Sequence, residues 1–166
     1  MTSPEPSVPA SGRPPGSGTP DVSRVDQPFD RDGLYALRAT LAAHATRYGA
    51  PAALVDRLLI VGSELAANAV RHGGGRGRLR LSRRDARLHC QVIDNGPGFA
   101  DTHLGYAVPA PMAAGGRGLW ICRQLSDELV ITNREPGATV TAILHLVGGQ
   151  RREPGPDDAP RPGSAT

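Results

Sequence analysis

Apolar residues recur at helical spacing in two successive segments near the middle of the chain. Leu34, Leu37, Leu41 and Ala45 mark an amphipathic helix from Leu34 to about Tyr48. Gly49 ends it, and Pro51 is well placed in the first turn of a second helix that runs to Gly73. At about 100° per residue, Leu54, Leu58, Val61 and Leu65 of this second helix fall within about 60° of one another and form its buried stripe. The same arithmetic puts Glu64 and Asn68 about 40° apart at the border of the stripe, while Asp56, Ser63 and Ala67 point to the far side. Polar groups at such a border face a cleft more often than open water.

Elsewhere the period is that of strands. Val22 to Phe29 alternates weakly and reads as a short edge strand, with Asp30 or Asp32 as the cap of the next helix. Arg76 to Ser82 and Arg87 to Asp94 alternate as two antiparallel strands joined at Arg84-Asp85. Asp94-Asn95-Gly96-Pro97-Gly98-Phe99 follows, and then about fifteen residues rich in Ala, Pro and Gly without a period, a length at which loops are functional or mobile. Gly115-Gly116-Arg117-Gly118 opens a helix, Leu119 to about Leu125, before two more strands, Glu128 to Thr132 and Thr139 to Val147, around a turn at Pro136-Gly137. This order predicts an α+β fold, a two-layer α/β sandwich with a mostly antiparallel mixed sheet and helices on one face.

Composition bounds the rest. Of the 166 residues, 1–20 and 149–166 are dominated by Pro, Ser and Gly and read as disordered tails, leaving 21–148 for one domain. The chain has no apolar run of about 18 residues and no basic-then-apolar leader, so the expectation is a cytoplasmic protein without a membrane partner. Cys90 and Cys122 have no partner at metal or redox spacing and read as small buried residues. The net charge is +3, and every basic side chain is Arg, none Lys. That excludes a Walker loop, the protein-kinase strand lysine, and Schiff-base or Ser-Lys chemistry, each of which needs an amine.

Each candidate motif has an ordinary reading. Glu, Asn and His on one helix occur freely on exposed faces, Asp-Asn-Gly and Pro-Gly are common turn formers, and a glycine-rich lead into a helix can serve tight packing alone. Their order changes the picture. Gly96 and Gly98 follow directly on a strand and allow close backbone approach to a ligand. Gly115, Gly116 and Gly118 precede a helix whose free N–H groups and positive dipole end suit phosphate oxygens. A magnesium nucleotide needs oxygen ligands for the metal, phosphate donors, an acceptor for the adenine amino group and a cover against water, and the chain offers a candidate for each.

The series ELAANAVRHG, DNGPGF, GGRGLW and GATV, in that order, resembles the GHKL ATPase and kinase superfamily, and most of all its compact bacterial anti-sigma factor serine/threonine kinases. The resemblance runs over roughly residues 25–147. It implies Glu64 as the general base, Asn68 as a magnesium ligand through its amide oxygen, and Asp94 as acceptor for the adenine amino group, with the Thr139 hydroxyl assisting. It further implies that Gly96 and Gly98 pass close to base and ribose, that Gly116, Arg117 and Gly118 sit at the phosphates, and that residues 100–114 form a lid. ATP and Mg2+ are the implied cofactors. The implied partners are a sigma factor and a STAS-type anti-anti-sigma protein that receives the phosphate, with a homodimer allowed.

Some residues carry weaker expectations. His72 is expected to close its helix, where an imidazole meets free carbonyls, and Arg71 reaches either a phosphate or solvent. Arg76, Arg78, Arg80, Arg83, Arg84 and Arg87 form a basic cluster with no interleaved aromatic to stack on bases, which favours a solvated or protein-docking face over nucleic acid. The chain lacks both the phenylalanine-bearing segment and the phosphorylated-histidine hairpin of sensor kinases, and no Lys or Arg lies between Phe99 and Gly116. That bare lid keeps a second reading open, an ATP-binding interaction module that transfers nothing. An ATPase with water as acceptor is a third reading, disfavoured because no dimer-forming arm or second domain is evident.

Overall fold

The computed structural model describes residues 24–100, 102, 105, 106 and 117–146. Both expected tails, most of the expected lid, His103, Gly115 and Gly116 lie outside the described residues. The elements in chain order are β1 (Val25–Asp30), α1 (Leu34–Arg47), α2 (Ala52–His72), β2 (Arg76–Arg84), β3 (Arg87–Asp94), α3 (Arg117–Leu125), β4 (Glu128–Asn133) and β5 (Ala138–His145). The strands make one sheet in the order β1-β2-β3-β5-β4. All its pairings are antiparallel, so the expected sandwich is present without a parallel pair among the described residues.

One face of the sheet carries the core. Leu79 and Leu81 of β2, Leu88, Cys90 and Val92 of β3, and Val140, Ala142 and Leu144 of β5 are buried there against the helices. From the helices come Leu37, Leu41 and Ala45 of α1 and Leu54, Leu58, Val61 and Leu65 of α2, so the stripe read from the helical period is the buried one. α1 and α2 approach closely at Gly62, where an added Cβ would lie 2.5 Å from the Leu41 side chain. The opposite sheet face is polar, as antiparallel sheets with one solvated face are. There Asp26 of β1 accepts from Arg78 at 2.7 Å and from Arg80 at 3.0 Å.

Helix termini depart from expectation in detail. Neither Asp30 nor Asp32 caps α1: its N-cap is Gly33, and the Asp30 carboxylate instead accepts from the Asp32 and Gly33 amides at 3.1 and 3.0 Å. An acceptor two or three residues before a helix satisfies turn amides and competes with capping. Pro51 stands one place before α2, as its N-cap in extended conformation. The β2–β3 loop is Asp85-Ala86, with Asp85 at φ 53° and Arg84 paired directly to Arg87. Arg83 turns to the helix side, donating to the Tyr48 carbonyl at the end of α1 (2.8 Å) and to the Asp85 carbonyl (2.8 Å).

The buried stripe of α2 makes a direct prediction. Leu58 is fully buried and Ile60 is 43% exposed. Leu58→Ala is therefore expected to destabilise the domain by about 2–5 kcal/mol, and Ile60→Ala by no more than about 0.5 kcal/mol, in chemical denaturation. A pH dependence also follows. The Arg78 guanidinium, aided by Arg80, holds the Asp26 carboxyl below the usual carboxylate range against a smaller opposing effect of desolvation. Its contribution is thus present above the unfolded value and lost as pH falls through the folded one. In acid titrations followed by circular dichroism, Asp26→Asn should remove part of that acid-dependent loss.

Candidate functional site

α3 is seated on α2 by Leu119 and Cys122, both buried. The Cys122 thiol lies 3.7 Å from the Val61 carbonyl. At its far end Arg57 of α2 donates to the Leu125 carbonyl at 2.9 Å and approaches Asp127 at 3.9 Å. Held at both ends, α3 lays its first turn across the polar border of α2. A Cβ on Gly118 would lie 2.7 Å from Glu64 Oε2, 3.3 Å from Asn68 Nδ2 and 3.5 Å from Asn68 Oδ1. Glu64, Asn68 and Gly118, residues 54 positions apart at the extremes, thus meet at one point. Glu64 and Asn68 are half-buried and Arg117 is exposed. The carboxylate sits at the positive end of the α3 dipole, opposite in sign to its own charge. That charge is felt in the core: burial above all, with Glu64 and Cys90 adding to it, pushes the Cys122 thiol far up. Burial alone pushes Cys90 up to about 12, so both thiols are inert small residues.

The second cluster surrounds Asp94 at the end of β3. Its Oδ1 accepts from the Gly96 amide at 2.9 Å, leaving Oδ2 without a hydrogen bond from a described residue. Its side chain lies over Gly73 at the end of α2, where a Cβ would come within 2.5 Å of Asp94 Cγ. Gly96 passes equally close to the His72 carbonyl, 2.7 Å from an added Cβ. Gly137, at φ 103°, backs directly onto the Asp94 carbonyl, so a side chain there would run into that oxygen and force the strand aside. α2 therefore carries Glu64 and Asn68 along its length and supports Asp94 at its end. His72 is exposed as the last residue of α2 and Arg71 is exposed beside it, and neither side chain hydrogen-bonds to another described residue.

Thr139 is not brought to this cluster. Directly opposite residues of an antiparallel pair share a sheet face, and Asp94 stands opposite Ala138, while Thr139 stands opposite Ile93 and Thr132. The hydroxyl expected beside Asp94 is on the other face of the sheet. The motif spelling could not reveal this, because a one-residue difference in register exchanges the faces. Gly116 lies outside the described residues.

Sequence reasoning missed Asn133. Its Oδ1 accepts from the Phe99 amide and its Nδ2 donates to the Phe99 carbonyl, both at 2.8 Å. The side chain acts as one more strand partner for the end of the DNGPGF loop. Gly98, at φ 77°, passes close beneath it, 3.0 Å from an added Cβ to Asn133 Oδ1. An Asn at the end of a strand ordinarily signals only a turn, so no local pattern marks this contact. A separate hollow of about 600 Å³ lies on the outer side of α3, between Tyr106, Arg123 and β4, and neither glycine-lined cluster contributes to its lining.

The chain matches the family described as histidine kinase-like ATPase domain over residues 28–144, and it belongs to that family. It is 30% identical over 141 residues to the serine-protein kinase RsbW of Bacillus subtilis, covering 77% of this chain and 88% of that one. Among solved structures, the SiaB–SiaC complex of Pseudomonas aeruginosa matches with TM-score 0.60 at 12% identity, over 75% of this chain and 89% of that chain. The structure of the RsbU and RsbW domains of a Mycobacterium tuberculosis protein matches with TM-score 0.57 at 20% identity, over 75% of this chain and 32% of that chain. These structural likenesses show the fold: the α+β sandwich described above is that of the histidine kinase-like ATPases. Residues 28–144 contain both glycine-lined clusters, and the class is one of ATP-binding domains.

The Asn133 contact is testable without ligand. Asn133→Ala removes both hydrogen bonds to Phe99, each worth about 1 kcal/mol net. Exchange of the Phe99 amide, read by NMR, should then accelerate about five- to thirtyfold, whereas an unchanged rate would mean that the loop is held by other contacts.

Proposed function

We propose that the chain is an ATP-dependent serine/threonine kinase that regulates transcription as an anti-sigma factor, binding a sigma factor and phosphorylating a STAS-type antagonist. The observation that carries this reading is the contact of Gly118 with both Glu64 and Asn68. A helix N-terminus, a carboxylate and a carboxamide oxygen converge there, as phosphates, an activated hydroxyl and a hard cation together require. The named activity of the Bacillus subtilis relative, a serine-protein kinase, supports the choice of acceptor.

In this reading the amide N–H groups of the first turn of α3 bind the phosphate oxygens, and Gly118 lets them approach because no side chain stands between. The Asp94 carboxylate, turned by the Gly96 amide, accepts from the adenine amino group through Oδ2. With Thr139 on the other face, backbone groups and water complete recognition of the base. Asn68 is the protein ligand for Mg2+, a neutral oxygen fitting a cation that keeps several waters. The chemistry such a cation would supply there is neutralisation of charge on the phosphates. Glu64 takes the proton from the partner's seryl hydroxyl as its oxygen bonds the γ-phosphorus and the bond to the β-phosphate oxygen breaks. A new phosphoserine adds about −1.5 to −2 charge, enough to break a close docking surface.

A nucleotide-binding interaction module without transfer is the second reading, favoured by the absence of any Lys or Arg between Phe99 and Gly116. Arg117 would then be the nearest arginine to the phosphates. Incubation with labelled ATP, magnesium and STAS-domain partners separates the two. The kinase reading expects transfer to a partner Ser that falls about 10²–10⁴-fold in Glu64→Gln, with binding of a fluorescent ATP analogue retained. Binding without transfer to any partner favours the module, and no nucleotide binding contradicts both.

A further inference from the structure

The polar face of the sheet ends, at the β2–β3 turn, in a pair of like charges. Arg84 and Arg87 stand directly opposite each other, both exposed, in the last rung of the hairpin. Like charges in that position repel, and neither guanidinium has an ion-pair partner among the described residues. Two histidines flank them on the same face, His145 opposite Arg87 and His89 two residues along β3. The His89 imidazole is held below its ordinary range, first by desolvation and then by the charges of Arg84 and Arg87, with Glu128 opposing weakly. The corner therefore carries more positive than negative charge, Arg83, Arg84 and Arg87 standing against Asp85 of the turn and Glu128. Farther along β2, Arg78 and Arg80 show what guanidiniums on this face bind when an anion is in reach: both engage the carboxylate of Asp26.

We infer that the Arg84–Arg87 corner is a docking surface for a carboxylate-rich segment of a partner protein, separate from the nucleotide cleft. Asp94 and Arg87 are the two ends of β3, which at about 3.3 Å per residue puts them about 23 Å apart. A partner held at the corner leaves the cleft open to nucleotide. Guanidiniums pair with carboxylates in a two-point geometry that an ammonium lacks, and this chain uses Arg for every cation. A second copy of the chain is a poor occupant, since a symmetric contact would set the same arginines against each other. Single-stranded nucleic acid is also poorly served, because no Phe, Tyr or Trp of the described strands stands on this face to stack a base. The inference stands on charges remote from Glu64 and Asn68, so its failure leaves the nucleotide reading intact.

The test uses the full chain and a fluorescein-labelled twelve-residue peptide of alternating Asp and Glu, read by anisotropy with and without a fluorescent ATP analogue. Binding is expected to weaken with added salt and to fall at least about tenfold in Arg84→Glu/Arg87→Glu. It should be unchanged in Arg31→Glu, an exposed arginine of the turn after β1, and ATP-analogue binding should be the same in all three proteins. A single Arg87→Glu turns the repulsive rung into an attractive one and should raise the melting temperature by about 1–4 °C. Peptide binding unaffected by the double reversal, or displaced by the ATP analogue, would overturn the inference. So would tighter binding of a single-stranded RNA of equal charge, or a lower melting temperature for Arg87→Glu.

Discussion

The first turn of α3 rests on the carboxylate and carboxamide of α2, so close that a Cβ at residue 118 would lie 2.7 Å from Glu64 Oε2. Most of the architecture serves that contact. The buried face of α3, Leu119 and Cys122, sets its height above α2, and the tie from Arg57 to the Leu125 carbonyl sets its far end. α2 in turn is fixed by a stripe of Leu and Val against the sheet. A side chain at 118 would displace the Glu64 carboxylate from its place against the first turn of α3.

The same logic of missing side chains governs the other end of the cleft. Asp94 is held in a sleeve of backbone in which Gly73, Gly96 and Gly137 each leave no room for a Cβ. Backbone this close keeps the carboxylate in one orientation, with Oδ1 bound by the Gly96 amide and Oδ2 turned to the cleft in the proposed reading. Asn133 then anchors the chain as it leaves toward the lid. The two clusters share α2 as a common support, so the spacing between the proposed phosphate and base contacts is set by the pitch of one helix.

Much of this was legible in the sequence because it depends on local periods and on glycines. The helical stripe from Leu54 to Leu65, the Glu64–Asn68 pair at its border, and the strands on either side of Asp85 follow from spacing alone. What stayed hidden depends on pairing across the sheet. Thr139 was read next to Asp94 because the motif spelling says nothing of register, and the register turns it to the opposite face. Asn133 and Arg83 find their partners, Phe99 and the Tyr48 carbonyl, 34 and 35 residues away, beyond any local pattern. The repulsive Arg84–Arg87 rung became visible only once the turn was placed at Asp85-Ala86 rather than one residue earlier.

The sheet thus has two ends with proposed roles, the nucleotide cleft near Asp94 and the cationic corner near Arg87, and the account depends chiefly on the first. Backbone amide NMR on titration with a nonhydrolysable magnesium ATP analogue tests it most directly. The account predicts the largest shifts at Gly96, Gly98 and Gly118, with Asn68 side-chain signals moving only when magnesium is present. Shifts concentrated at Arg123 and Leu129, in the hollow on the outer side of α3, would contradict it.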